Sequence, residues 1–400
     1  MSMFDEMVLP ANKSRFLEWE QARMLLRHED IAPLQEYITS ESFDADAEAL
    51  ARGDLWFGIP TKKMIRKWNT TRLRIVYVFP DRERYFMRYL SFMLHKYDDR
   101  FSPNLYSYCK GRSVTRALKQ TREQFDFGKD YVFKLDIASY GISIDPDLLV
   151  SALGEIIDDD DALLAFFEKL LLRKQSYRNG QLVSESTGSL PGMSAHSFLL
   201  NVYLHRIDCD FQDKAKLYFR YTDDVFLVAP SLEEITRLSD EYKQRISALN
   251  LRINEEKTAI LDPSQDWTFL GFHFFPNGAI DISPVTVAKM KKKIRHRGRV
   301  WRREVVQQKV STEEAIRGFL SRMNRVFFGG ADGRRVDYAS RYFPIITVDD
   351  SLAELDRYVQ MYARYIVTGR FTKKNYNLRY HELKSLGFRS LVRAYHSTRE

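Results

Sequence analysis

Three aspartates carry the most pointed chemistry in this chain. Asp136 ends the apolar run Tyr131-Val132-Phe133-Lys134-Leu135-Asp136, and two more acids are adjacent in Tyr221-Thr222-Asp223-Asp224. The first run reads as a strand that stops at an acid. The second pair reads as a tight polar turn between two strands over 217–228. If these strands are neighbours in one sheet, three carboxylates meet on one rim. Such a cluster repels itself unless hard cations neutralise it. Mg²⁺ prefers oxygen ligands and usually holds substrate phosphates as well. Two such ions about 3.5–4 Å apart activate an attacking hydroxyl and stabilise the leaving oxygen of an in-line displacement. The arrangement suits phosphoryl or nucleotidyl transfer better than acid–base hydrolysis. A bare Asp-Asp pair equally suits a solvated turn, so order and flanking sequence must decide.

The elements that position these acids alternate helix and strand. Residues 12–55 read as helical, with Phe16, Trp19, Ala22, Leu25 and Leu26 on one face. Residues 56–73 are polar and basic; Lys62, Lys63, Arg66, Lys67, Arg72 and Arg74 bracket a strand over 75–79. Helical spacing returns over 81–97, 114–124 and 146–172, the last containing the acidic junction Asp158 to Asp161. A strand is expected over 181–186, a turn at Leu190-Pro191-Gly192, and helices over 194–211 and 232–249. Short strands follow over 258–261 and 269–274. Ser283 as cap and Pro284 in the first turn open a strongly basic helix. A last amphipathic helix, 352–366, leads into a basic, aromatic tail.

Composition bounds the partners. The chain has 400 residues, enough for two to four structural units at roughly 100–200 residues each. It is 44% hydrophobic and 14% aromatic, so real cores are expected. Lys+Arg minus Asp+Glu is 62 − 54, a net +8, which favours anionic partners. There is no run of 18 apolar residues and no basic-then-apolar leader, so no membrane partner is expected. Cys109 and Cys209 are too few for a disulfide framework or a four-cysteine zinc site. Two buried free thiols in a reducing cytoplasm are the expectation.

Order and flanking sequence point to a family. The segments FKLDIASYGISID (133–145), SLPGMSAHSFLLNVYL (189–204), YTDDVFLV (221–228), LRINEEKTAIL (251–261) and WTFLGFHF (267–274) resemble reverse transcriptases. They stand in that family's order: motif A, motif B, motif C, motif D with its lysine, and the primer-grip hairpin. RLRIVYVFP (72–80) and NLYSYCKGRS (104–113) look like fingers segments. The resemblance covers roughly residues 56–274, over half the chain. Within the family it is closest to bacterial retron and defence-associated (antiphage) reverse transcriptases, with the type 3 defence system as candidate subtype.

The resemblance implies an α+β right-hand polymerase with helical extensions at both ends. Its parts would be an N-terminal helical extension (1–55), fingers (56–130), palm (131–275, with part of the fingers inserted at about 146–186), thumb (276–345) and a C-terminal helical tail (346–400). The implied activity is RNA-directed DNA synthesis by two-metal nucleotidyl transfer on a dedicated noncoding RNA, in antiphage defence in a bacterial cytoplasm. Implied partners are the RNA template, the DNA product and dNTPs. A second polymerase or effector protein and a second copy of the chain are further candidates. The implied cofactors are two Mg²⁺ ions, with Mn²⁺ as a substitute.

Roles carry over residue by residue. Asp136, Asp223 and Asp224, with Ile137, would hold the metal ions. Lys257 matches the motif D lysine, a proton donor to leaving pyrophosphate. Arg74 matches the fingers arginine, whose guanidinium donates two parallel hydrogen bonds to phosphate. Lys62, Lys63 and Lys67 compete for the same pocket, and the sequence does not choose among them. Tyr140, Gly141, Gly192, Met193 and Ser197 would line the nucleotide. Lys291, Lys292, Arg295, Arg299 and Arg302 would track phosphates along the thumb helix, and Phe269, Leu270 and Gly271 would form the primer grip. Trp301 would pack the thumb against the palm.

Two positions depart from the family. Gly141 stands where a bulky aromatic usually excludes the ribose 2′-hydroxyl. Either Tyr140 moves in, or discrimination against ribonucleotides is relaxed. Pro191-Gly192-Met193 replaces Pro-Gln-Gly, so no glutamine amide reaches the nucleotide. These departures leave a template-independent or protein-templated DNA polymerase as the first alternative. An inactive palm that only binds RNA or a partner is the second, and RNA-directed RNA synthesis stays open.

Overall fold

Strand-forming runs and tight turns build three small sheets among the described residues. The computed structural model describes residues 2–23, 28–54, 56–66, 73–185, 188–329 and 337–399. Leu25, Leu26, Lys67, Arg72 and Ser186 therefore lie outside the described residues. The chain divides into two compact units, Met1–Phe125 with Asp130–Asp262, and Asp126–Lys129 with Pro263–Glu400.

The first unit holds β1 (Thr61–Arg66), β2 (Leu73–Val78), β3 (Tyr131–Asp136), β4 (Gln175–Arg178), β5 (Gln181–Ser184), β6 (Leu217–Tyr221), β7 (Asp224–Ala229) and β8 (Ala259–Leu261). One sheet runs in the order β2-β1-β4-β5, the other in the order β6-β7-β3-β8. The second is antiparallel throughout, and the aliphatic residues and phenylalanines of β3, β6 and β7 are buried. β1 escapes a sequence reading because four of its six residues, Lys63 to Arg66, are exposed, so no apolar alternation marks it.

Helices cover both the sheet and its N-terminal approach. The Met3–Met7 helix puts Phe4 edge-on against Phe166, and Phe16 stacks on Tyr89. The N-terminal extension is thus part of the first unit's core. The helical stretch 146–172 is two helices, Pro146–Ile156 and Asp161–Leu172, divided at the acidic junction. Asp160 caps the second, accepting from the Leu163 N–H at 3.0 Å. The expected 194–211 helix also breaks, into His196–Tyr203 and His205–Gln212, because Leu204 leaves helical geometry at φ −106°, ψ 5°. Both cysteines are free; burial pushes the Cys109 thiol up to about 12. Among the described residues no helix is long and apolar enough to cross a membrane.

The second unit holds β9 (Trp267–Phe269), β10 (Phe272–Phe274) and β11 (Ile280–Ile282), in the order β11-β10-β9. Leu270 and Gly271 both have positive φ, 48° and 94°, the geometry that suits a two-residue hairpin turn. Ser283 and Pro284 open the Pro284–Val306 helix as expected. That helix packs on Thr312–Phe328 and Asp350–Thr368. Two glycines make room for rings: a Cβ at Gly298 would lie 2.6 Å from Tyr362, and one at Gly318 would lie 2.5 Å from Trp301. Trp301, expected to face the palm, therefore packs on a helix of its own unit.

Candidate active site

The ladder between β3 and β7 stays in register to its last rung, where Asp136 faces Asp224. Opposed residues in such a ladder have Cα atoms about 4.5–5.5 Å apart, so the two carboxylates share one end of the sheet. Asp223 precedes Asp224 in a two-residue turn whose Thr222 has φ 62°. Burial, then the charges of Asp223 and Asp136, push the Asp224 carboxyl up to about 6. Lys257 and Lys134 oppose that rise. Lys257 donates to Asp136 Oδ2 at 2.8 Å, and Asn254 donates through Nδ2 to Oδ1 at 2.9 Å. The Asn254 N–H also donates to the Asp136 carbonyl at 2.8 Å. Motif D is thereby laced onto the end of motif A.

Three hydrogen bonds hold the 222–223 turn. The Ile137 N–H donates to the Asp223 carbonyl at 3.1 Å. Ser107 Oγ accepts the Thr222 N–H at 3.0 Å, and Arg220 Nη1 donates to the Thr222 carbonyl at 2.9 Å. Arg220 is fully buried and pairs bidentately with buried Asp208, at 2.7 and 2.5 Å. Asn254, Ser107, Arg220 and Asp208 were not picked out from the sequence. The one available signal was a charge, Arg220, inside an otherwise apolar and aromatic strand.

The turn at 191–193 and the strands β1 and β2 of the first unit pack together. Gly192 has φ +104°, and a Cβ there would lie 3.0 Å from the Tyr77 carbonyl and 3.2 Å from Val76 Cβ. The Pro191 carbonyl accepts the Tyr77 N–H at 2.6 Å. The turn before motif B is therefore seated on β2. In the β1–β2 register Lys63 faces Val76 and Ile65 faces Arg74. Because side chains alternate, Lys63 and Arg74 share the face that meets Gly192. Lys62 is on the other face, paired with Glu185 at 2.7 Å. Arg74 is exposed, yet near enough to His196 to depress its pKa. Met193 is buried, while Ser197 and Tyr221 line a cleft of about 890 Å³ with Arg15, Tyr108 and Lys110.

Tyr140 does not move in beside Gly141. It is buried, and its hydroxyl donates to the Leu200 carbonyl at 2.6 Å. The space above Gly141 belongs to His196 instead: a Cβ at 141 would lie 2.7 Å from the imidazole Cε1. The ring is fixed through Nδ1, 3.0 Å from the Ser189 carbonyl.

His196 has a measurable consequence. Burial is the main reason its pKa falls from 6.5 to about 4. The unfolded chain then binds a proton more readily than the folded one, so stability falls as pH falls from 6.5 to about 4. The gap is worth about 3 kcal/mol at the acid end. Urea unfolding at pH 7 and pH 4 measures it. The wild type is expected to lose about 3 kcal/mol more than His196→Asn, and equal losses would contradict this account.

In the second unit, Phe269 is buried, and the carbonyls of Leu270 and Gly271 accept from Arg341 and from the Ser283 N–H. Lys292, Arg295 and Arg299 are exposed along the Pro284–Val306 helix. Lys291 is instead paired with Glu354, and Arg302 donates to the Ile366 and Val367 carbonyls. These two positively charged groups therefore hold the tail helix.

The rim's donors suit a hard divalent cation: all are oxygens, and their mutual repulsion is visible in the raised Asp224 carboxyl. Among the described residues no three His, Cys, Asp or Glu side chains stand as a ready cage. Asp136 explains part of this, since Asn254 and Lys257 occupy both its oxygens. The Lys257 side chain is 61% exposed, so its ammonium can leave for water at little cost.

The family model described as reverse transcriptase (RNA-dependent DNA polymerase) matches residues 62–274. The chain belongs to the reverse transcriptase family, and its α+β fold is that of a right-hand polymerase. No curated protein matches the sequence. Among solved structures, it is similar to apo telomerase from Candida tropicalis truncated from the C-terminal domain, at 12% identity and TM-score 0.45. That match covers 56% of this chain and 55% of the other, so the chain spans about half of that relative's length. Telomerase from Candida albicans in complex with a fragment of telomeric RNA matches at 12% identity and TM-score 0.46, covering 91% of this chain and 71% of that one. Apo telomerase from Candida tropicalis matches at 12% and 0.47, covering 82% and 68%.

Proposed function

We propose that this protein is an RNA-directed DNA polymerase whose centre is Asp136, Asp223 and Asp224. The observation that carries the reading is the in-register pairing of Asp136 with Asp224 beside the Asp223 turn, in a chain of this family. The three carboxylates, with the Ile137 backbone, would hold two Mg²⁺ ions. Bound there, Mg²⁺ supplies charge neutralisation on the phosphoryl oxygens and activation of the primer 3′-hydroxyl. Arg74 and Lys63, on one face of β1–β2, take the triphosphate. Lys257, released from Asp136, gives a proton to the leaving pyrophosphate as the bond to the α-phosphorus breaks. The His196 ring fills the space above Gly141 and excludes a ribose 2′-hydroxyl, doing by a motif B side chain what Gly141 has no atoms to do. The cleft lined by Arg15, Tyr108 and Lys110 takes the template. Phe269 to Gly271 and the exposed cations Lys292, Arg295 and Arg299 hold the primer–template.

A dedicated noncoding RNA as template and antiphage defence in a bacterial cytoplasm follow the resemblance to retron and defence-associated enzymes. The test is to purify the protein from cells carrying its own genomic neighbourhood and sequence the bound RNA and DNA. One discrete RNA, with alkali-resistant DNA complementary to part of it, is expected. In His196→Gly the product is expected to become alkali-labile through incorporated ribonucleotides. Homopolymeric DNA matching no bound RNA would replace this reading with untemplated synthesis.

A further inference from the structure

The C-terminal tail carries a composition that the polymerase reading does not use. Between Arg357 and Tyr380 there are six Lys or Arg, six Tyr or Phe, and no Asp or Glu. The structure turns this stretch into a shaped surface. Gly369, at φ 72°, ends the Asp350–Thr368 helix, and the chain folds back through the 3-10 turn Lys373–Asn377. A cavity of about 830 Å³ opens there, lined by Arg357, Met361, Arg364, Phe371, Lys373 and Tyr376. Phe371 is 57% exposed and Tyr376 68% exposed, far more than rings this size need be.

Each ring has a partner on the Asp350–Thr368 helix. Phe371 stacks on Tyr365, with centroids 5.0 Å apart and planes 29° apart. Arg364 sits 5.3 Å from the Tyr376 ring centre while its Nε donates to the Leu378 carbonyl at 3.0 Å. Buried Asn375 pins the turn, accepting from Thr368 Oγ1 at 2.7 Å and donating to the Arg370 carbonyl at 2.6 Å. Among the described residues, Arg357, Arg370, Lys373 and Lys374 have no carboxylate partner. One acid, Glu354, also lines this cavity, and it is paired with Lys291.

We infer that this surface binds single-stranded nucleic acid, through residues other than those of the proposed polymerase centre. Uncompensated cations suit a phosphate backbone, and exposed flat rings suit unpaired bases, which stack without regard to sequence. A duplex hides its base faces, and an acidic peptide brings charge without rings. The surface lies outside residues 62–274, the span that the family model matches. The inference does not depend on the polymerase reading.

Anisotropy of a fluorescein-labelled oligouridine of about 12 nucleotides, with the full chain and no metal or dNTP, tests it. Phe371→Ala with Tyr376→Ala is expected to weaken binding about tenfold or more. Phe371→Trp with Tyr376→Trp is expected to keep it. Lys373→Gln with Lys374→Gln is expected to lower the slope of log K against log salt by about 1.4, at about 0.7 per charge. Wild-type affinity in the alanine pair, or an unchanged slope in the glutamine pair, would overturn the inference. So would poly-glutamate competing as well as oligouridine at equal charge. If the alanine pair lowers the melting temperature, the tryptophan and glutamine pairs still decide. The readout is binding without synthesis, so an inactive polymerase centre leaves it intact.

Discussion

Asp223→Asn combined with Asp224→Asn is expected to cut DNA synthesis at least about a thousandfold without lowering the melting temperature. The loss follows from what the carboxylates would hold. Divalent metal contributes several kcal/mol of transition-state stabilisation, and about 4 kcal/mol is a factor of about a thousand. The retained stability follows from electrostatics within the fold. Asp224 has a raised carboxyl pKa, so its charged form is disfavoured where it sits. Asparagine removes that charge while keeping the shape, and the turn itself is held by backbone groups of Thr222 and Asp223. Primer extension and differential scanning calorimetry on the same preparation measure both halves. Wild-type synthesis in the double variant would end the assignment of the metal site.

Asp208→Ala has the largest expected effect on stability. It would leave the Arg220 guanidinium charged and fully buried with its bidentate partner gone. Breaking a buried pair from one side costs about 3–5 kcal/mol, read as a shift of the urea midpoint. Replacing both members by apolar residues, Asp208→Leu with Arg220→Met, is expected to recover most of that loss, because no unpaired charge remains. Synthesis should not recover with it. The Thr222 carbonyl would still lack its Arg220 donor, and the loss of such a supporting contact typically costs about 10–100-fold. A stable double variant with wild-type activity would show that Arg220 serves folding alone.

What the sequence made legible was local. Strand-ending Asp136 and the Thr222-Asp223 turn follow from apolar runs and a polar break, and the sheet brings them together at one rung. The cap at Ser283 is equally local. The supports were not legible: Ser107 with Thr222 and Asn254 with Asp136 join residues far apart in sequence, and Asp208 reaches Arg220 from a helix that starts only after a break at Leu204. The choice between Lys62 and Lys63 needed the β1–β2 register, since alternation sends neighbours to opposite faces. Tyr140 looked available to cover Gly141 because it is adjacent. The backbone instead turns its ring into the core, and His196, 55 positions onward, fills the space.

The central claim is that these aspartates make DNA whose sequence is set by RNA. The direct measurement is primer extension by the purified protein, with Mg²⁺ and all four dNTPs, on two RNA templates of unrelated sequence carrying the same primer site, followed by sequencing of the products. The account predicts two different DNAs, each complementary to its own template, and neither in the Asp223→Asn, Asp224→Asn variant. The same product from both templates would contradict it.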